Sequence, residues 1–378
     1  MTDKNSAGHV AIFIPTFGDG GVEHMLVNLA AGLVGRGVRV DFLVKETHLP
    51  YLNQLPPEAR LIDLGNDGDR RLLERFVRYL KADAPDIAMS AKGRDDRIMI
   101  RAKGRAKVPT RFFLRTGTHI SARHVRRRRN RLRRLLNYLK VRRLYGGADG
   151  IICVSQGVAD DLMRITGIAA DRIQVIRNPV VTPKLEEMAK VDIDHPWFGE
   201  DIPVILGAGG LRLQKNFPML LRAFARIRAQ REARLMILGE GRQRHELKMQ
   251  AKELGVSDDF DLPGFVANPY AHMARARLFV LSSHWEGSPN VLAEALAVGT
   301  QVVSTDCPSG PSEILDNGRY GTLVPVDDED AMVEAIAHAL DNPADPNFLR
   351  AAVSQYTTER STEGYLRAFG LLRDAGGQ

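Results

Sequence analysis

Short apolar runs alternate with amphipathic stretches along this 378-residue chain, and that alternation constrains its fold more than any other feature. Apolar runs bounded by turn residues read as buried strands, and stretches with a 3.6-residue period read as helices. Strand-like runs fall at 10–15, 38–44, 60–64, 86–89, 111–115, 150–154 and 173–176 in the first half. In the second half they fall at 204–208, 234–238, 260–262, 278–281, 301–304 and 321–324. Strands that alternate with helices predict parallel sheets of βαβ units, since each crossover helix covers a sheet face. The two series predict an α/β chain of two Rossmann-like domains, and the length is too great for one typical domain. The segment 181–203 holds three prolines and a patch of charge without a clear period, and reads as a linker. The first domain is then 1–180 and the second 204–355, with a further helical stretch at 356–372.

Composition narrows the function classes. The apolar fraction of 44% is that of an ordinary globular protein. The only cysteines are Cys153 and Cys307, without a Cys-x-x-Cys, so neither a disulfide framework nor a metal site is expected. The polar start, residues 1–9, runs straight into a strand-like segment, so the expectation is a cytoplasmic protein without a signal peptide or spanning helix. The formal charge of +7 points to anionic partners.

The segment Trp285-Glu286-Gly287-Ser288-Pro289-Asn290-Val291-Leu292-Ala293-Glu294 places two carboxylates eight residues apart across a strand-to-helix junction. Ser288 reads as the N-cap and Pro289 as the first helical residue. Glu286 then lies in the loop and Glu294 about a turn and a half into the helix. Free amides at a helix start suit a phosphate, and carboxylates accept hydrogen bonds from sugar hydroxyls. A nucleotide-sugar carries both groups.

The same residues resemble the E-x7-E motif of retaining glycosyltransferases of family 4. Gly239-Glu240-Gly241, Gly264-Phe265-Val266, the segment from Asp306 to Leu315 and Gly321-Thr322-Leu323-Val324-Pro325 are similar to the text that flanks it in that family. The resemblance covers nearly the whole chain and is densest from 204 to 341. It implies the GT-B fold, two Rossmann-like domains facing a cleft, with the last helix (356–378) returning to the first, acceptor-side domain. It also implies that Glu294 binds the ribose and Glu286 the transferred hexose. Gly287, Ser288, Pro289, Asn290 and Val291 would line the sugar and phosphate pocket, and Gly264 and Val266 would meet the base of a UDP- or GDP-linked donor. Transfer would keep the anomeric configuration, the leaving phosphate would help deprotonate the acceptor, and no metal or other cofactor is implied.

Gly18-Asp19-Gly20-Gly21-Val22-Glu23 follows the first strand and opens a helix. Glu23 fills the third glycine position of the dinucleotide fingerprint, so that fingerprint is absent. Gly20 and Gly21 read either as a tight turn or, by the resemblance, as a loop near the donor phosphates. Gly209-Gly210-Leu211-Arg212-Leu213-Gln214-Lys215 resembles the family's G-R-L-x-x-x-K, with Lys215 in place but Gly210 where the arginine belongs. Arg212 is then the expected substitute, and with Lys215 it would neutralise a diphosphate as the sugar–oxygen bond breaks. His119 lies two or three residues out of register with a family histidine. It is either a sugar contact or an ordinary loop histidine, with Arg115 and Thr116 as alternatives. Ser155 reads as an N-cap, Asn178-Pro179 as the hinge entry and the acids at 327–330 as a helix start.

The tract 123–143 holds ten arginines and Lys140 without an acid, with Leu132, Leu135, Leu136 and Leu139 at helical spacing. It reads as one basic amphipathic helix. Its leucines could dock on the domain core, or the helix could lie on anionic lipid. Nucleic-acid binding is disfavoured by a single aromatic, Tyr138. The expected protein is a glycosyltransferase at the inner face of the cytoplasmic membrane. It would move a hexose or N-acetylhexosamine to a glycan or lipid-linked acceptor in polysaccharide, lipopolysaccharide or glycolipid synthesis. A nucleotide-sugar epimerase and an RNA-binding module are the rivals.

Overall fold

The computed structural model describes residues 8–18, 20–46, 52–126 and 130–372. The chain divides into two compact units, Met1–Pro179 with Thr358–Gln378, and Val180–Thr357.

The first unit is built on a seven-stranded sheet of order β3-β2-β1-β4-β5-β6-β7, parallel throughout. Its strands are β1 His9–Phe13, β2 Arg39–Val44, β3 Arg60–Asp63, β4 Ile87–Ser90, β5 Arg111–Thr116, β6 Gly150–Cys153 and β7 Ile173–Val175. Both faces are covered, which is why the strands read as continuous apolar runs. Along β1, Val10 and Ile12 enter one core while Ala11 and Phe13 enter the other. The helix Gly21–Val34 buries Met25, Leu26, Leu29 and Leu33. The returning helix Thr358–Phe369 packs on it through Tyr365, Leu366 and Phe369.

The second unit carries a six-stranded parallel sheet of order β10-β9-β8-β11-β12-β13. Its strands are β8 Val204–Ala208, β9 Arg234–Leu238, β10 Phe260–Gly264, β11 Leu278–Leu281, β12 Val302–Thr305 and β13 Thr322–Val324. In each sheet the winding direction reverses once, between β1 and β4 in the first and between β8 and β11 in the second. Ligands of such sheets bind outside the carboxyl ends of the strands at that reversal.

The segment expected to be a linker is folded. Residues 181–203 belong to the second unit. They form the helix Pro183–Ala189, capped by Thr182 Oγ1, which accepts from Leu185 N at 3.1 Å. Leu185 is buried in the core, and Pro183 and Pro196 mark helix starts rather than a flexible tether. Among the described residues no helix is long and apolar enough to cross a membrane.

Candidate active site

Lys215 and Glu286 meet at the sheet reversal of the second unit. Lys215 ends a one-turn 3-10 helix, Leu213–Lys215, in the connection after β8. Glu286 lies in the connection after β11. Lys215 Nζ donates to Glu286 Oε1 at 2.7 Å, and both side chains are buried. Ser283 Oγ donates to the same oxygen at 2.7 Å, and Gln214 Nε2 donates to Glu286 Oε2 at 3.2 Å. Each carboxylate oxygen accepts about two hydrogen bonds, so Oε1 is saturated and Oε2 keeps room for one more donor. An ammonium has three donors, and Lys215 spends one on Glu286.

Glu294 sits inside the helix Asn290–Ala297, which follows β11. Burial pushes its carboxyl up to about 7, and the charge of Lys215 partly offsets that shift. The helix start differs from the expected one. Pro289 has φ −72° and ψ 100°, an extended conformation, so it is the cap and Asn290 the first helical residue, with no side-chain cap from Ser288. The neighbouring connection packs against this turn. Gly310, at φ +97°, presses on the loop so closely that a Cβ there would lie 2.5 Å from Pro289 Cδ and 3.1 Å from Gly287 O.

Arg212 is exposed and folds back over Gly210. A Cβ on Gly210 would lie 2.9 Å from Arg212 Nε and 3.1 Å from its Nη2. The guanidinium thus fills the space where a side chain at 210 would begin. Arg212 has no carboxylate partner among the described residues. Gly264 O accepts from Gly239 N at 2.7 Å and ties the ends of β9 and β10 together. Val266 is half-buried behind an exposed Phe265.

Gly20, Gly21 and His119 belong to the first unit. Gly20 caps the helix Gly21–Val34 beside the reversal between β1 and β4. The buried Glu23 folds back on this loop and accepts from Gly18 N at 2.7 Å, and its carboxylate pairs with Lys92. Lys92 Nζ also donates to Thr16 O at 2.8 Å. Glu23 and Lys92 therefore shape the loop.

His119 Nδ1 accepts from Ala122 N at 3.3 Å at the start of the helix Ile120–Arg126. Burial lowers its pKa, partly offset by Asp161 at 3.3 Å. Arg115, the alternative for the histidine position, is fully buried. It donates to Tyr365 Oη at 3.1 Å and to Asn178 Oδ1 at 2.6 Å, which is a structural role. Thr116, the other alternative, is buried as well.

The arginine tract does not form one helix. It divides into Ile120–Arg126 and Arg131–Gly146, and Asn130 Oδ1 caps the second by accepting from Arg133 N at 2.9 Å. Arg127, Arg128 and Arg129 lie outside the described residues. The leucines do not dock on the core, since Leu132, Leu135, Leu136 and Leu139 are 66, 56, 48 and 52% exposed. The opposite face does dock, through Val141, Leu144 and Tyr145. At about 100° per residue these three fall across the helix from the leucine stripe.

Gln214, Ser282, Ser283 and His284 were not singled out by sequence reasoning, and Asp327 was read only as part of a helix start. Two serines in succession at the end of an apolar strand were the available signal, since buried hydroxyls need partners.

Two family models match the chain. Residues 19–183 match the one described as Glycosyltransferase Family 4, and residues 202–342 match the one described as Glycosyl transferases group 1. The chain is 34% identical over 214 residues to N-acetylgalactosamine-N,N'-diacetylbacillosaminyl-diphospho-undecaprenol 4-alpha-N-acetylgalactosaminyltransferase of Campylobacter jejuni, a match that spans 57% of each chain. It is 27% identical to the lipopolysaccharide core biosynthesis glycosyltransferase LpsE of Rhizobium meliloti, over 92% of this chain and 95% of that one. Among solved structures, the lipopolysaccharide outer core galactosyltransferase WaaB aligns with a TM-score of 0.70 at 19% identity, over 96% of this chain and 99% of that one. HepE of Anabaena, solved with UDP and glucose, aligns with a TM-score of 0.77 at 16% identity, over 97% of this chain and all of that one.

Proposed function

The chain belongs to the family 4 glycosyltransferases of the GT-B fold, and from that premise we propose that it moves a hexose or N-acetylhexosamine from a UDP-sugar to a glycan or lipid-linked acceptor in surface-polysaccharide or lipopolysaccharide synthesis. The observation that carries this reading is the buried Lys215–Glu286 pair, with Glu294 beside it, at the carboxyl ends of β8 and β11. In it, the two remaining donors of Lys215 and the Arg212 guanidinium hold the diphosphate. Glu294 accepts from the ribose hydroxyls, and Glu286 Oε2 accepts from a hydroxyl of the transferred sugar. The bond from the sugar's anomeric carbon to the phosphate oxygen breaks with its electron pair on that oxygen. The acceptor hydroxyl bonds to the anomeric carbon and passes its proton to the leaving phosphate. Because Lys215 and Ser283 already occupy Glu286 Oε1, a binding role suits Glu286 better than attack on the sugar. The Campylobacter jejuni relative is named for an alpha-linked product, which favours retention for an alpha-linked donor. No metal is required in this scheme, and activity should survive EDTA.

We further propose that the helix Arg131–Gly146 rests on an anionic lipid surface, where a lipid-linked acceptor would be presented. Its outward leucines and the exposed Arg133, Lys140, Arg142 and Arg143 support that reading.

The test is a thermal-shift panel of UDP-, GDP- and ADP-sugars, followed by turnover with the donor that stabilises most. Lys215→Ala should lower turnover about 10²-fold or more, since it removes a contact that strengthens as phosphate charge develops. Unchanged donor affinity and turnover in Lys215→Ala would sink the diphosphate role.

Arg212→Ala should cost roughly tenfold, and adding Gly210→Arg to it should restore most of the loss, because one guanidinium then reaches the phosphates from the other position. A double variant no better than Arg212→Ala would show that the two positions are not interchangeable.

A further inference from the structure

We infer that His284 is the positioning residue for Lys215, holding the turn that carries it against the end of β11. Three successive backbone carbonyls of that turn are captured from the β11 side. His284 Nδ1 donates to Leu213 O at 2.8 Å, because a carbonyl can only accept. His284 N donates to Gln214 O at 2.8 Å, and Ser282 Oγ donates to Lys215 O at 2.8 Å. The other ring nitrogen, Nε2, stands 2.8 Å from Asp327 Oδ1. Asp327 follows β13 and holds φ +66°, a left-handed conformation that an aspartate adopts at a cost. His284 is only 8% exposed, and its ring lies nearly parallel to that of Trp285. One imidazole thus links the connections after β8, β11 and β13.

The consequence concerns precision rather than binding chemistry. Lys215 sits on a single 3-10 turn, which has few hydrogen bonds of its own to fix it. Its ammonium must meet phosphate oxygens whose charge grows in the transition state, and small misplacements there cost much rate. His284 touches neither Lys215's side chain nor Glu286 in any hydrogen bond described. It acts through the backbone of the turn.

This inference rests on the diphosphate role proposed for Lys215, and a double-mutant cycle separates the two. Turnover would be measured with the UDP-sugar that stabilises the protein most, alongside calorimetric titration with UDP. Thermal melting checks that each variant is folded. His284→Leu should lower kcat about 10- to 100-fold and weaken UDP binding by a smaller factor. In a Lys215→Ala background the same change should cost less than about twofold, because the group it positions is gone. His284→Asn should keep turnover within about threefold of the parent, since the amide nitrogen replaces Nδ1 as donor to Leu213 O. Ser282→Ala provides a second cycle should His284→Leu fail to fold.

If the His284 and Lys215 losses multiply, or His284→Asn is as impaired as His284→Leu, the positioning role is overturned while the Lys215 assignment stands. If Lys215→Ala itself is fully active, the diphosphate role and the positioning inference fall together.

Discussion

Glu294→Gln should make the ligand-free protein more stable at pH 8 and a poorer binder of the UDP-sugar proposed as its donor. Burial raises the Glu294 carboxyl to about 7 in the folded state, against an unfolded value near 4.3. A carboxyl raised on folding favours the folded state when protonated. Its contribution is complete below the unfolded value and is lost as pH rises through about 7. At pH 8 the ionised group therefore costs roughly 2–4 kcal/mol that a neutral glutamine does not. The melting temperature of the variant should exceed that of the parent by several degrees at pH 8, and the difference should vanish near pH 4. Binding should move the other way. An ionised carboxylate is the stronger acceptor for ribose hydroxyls, and leaving those hydroxyls poorly paired costs about 1–3 kcal/mol. Parent affinity should fall as pH drops through about 7, and the variant's affinity should be flat. A UDP-sugar is the right probe, because its diphosphate does not titrate in this range. Equal melting curves at pH 8 would remove the buried-charge argument. Unchanged affinity in a folded variant would remove the ribose role.

The residues legible in the sequence were those whose signal is local. Parallel strands buried on both faces are unbroken apolar runs, so β8, β9 and β11 coincide with the runs at 204–208, 234–238 and 278–281. Glu286 and Glu294 were legible because their spacing sits on one strand–loop–helix unit. What was not legible depends on neighbours distant in sequence. Pro289 could start a helix by its own φ, but it takes an extended ψ where Gly310 from the next connection packs against the turn. Glu286 is held by Gln214 and Lys215 from the connection after β8, the sheet neighbour of β11, a convergence only the sheet order creates. The linker was misread because a short helix with a capping threonine and one buried leucine has too few turns to display a period. For the arginine tract the leucine period was correct, but a period does not say which way a face points. Val141, Leu144 and Tyr145 decide that by occupying the inward side.

Replacing Leu132, Leu135, Leu136 and Leu139 by serine should release the protein from anionic liposomes while leaving UDP-sugar affinity unchanged. These side chains lie outward on a helix whose other face is anchored, so the protein's own core gains nothing from them. Fully burying a leucine contributes about 1.5–3 kcal/mol, and four half-exposed ones offer on the order of 3–5 kcal/mol to a membrane surface. Arg133, Lys140, Arg142 and Arg143 have no carboxylate partners among the described residues, and all four are exposed. Each basic group near an anionic leaflet adds about 1 kcal/mol, and salt screens that share. The parent should therefore sediment with phosphatidylserine- or cardiolipin-containing vesicles and not with neutral ones. High salt should weaken the attachment without abolishing it, since the leucine share is not electrostatic. The serine variant should lose on the order of 10²-fold or more in partition coefficient, the conversion of about 3 kcal/mol or more. Arg133, Lys140, Arg142 and Arg143 changed together to glutamine should lose mainly the salt-sensitive part. Both variants should melt as the parent does, because exposed positions away from the core change stability little. Tight RNA binding without vesicle binding would transfer this surface to the nucleic-acid rival. Concentration-dependent dimers that the serine variant abolishes would assign the stripe to a second copy of the chain.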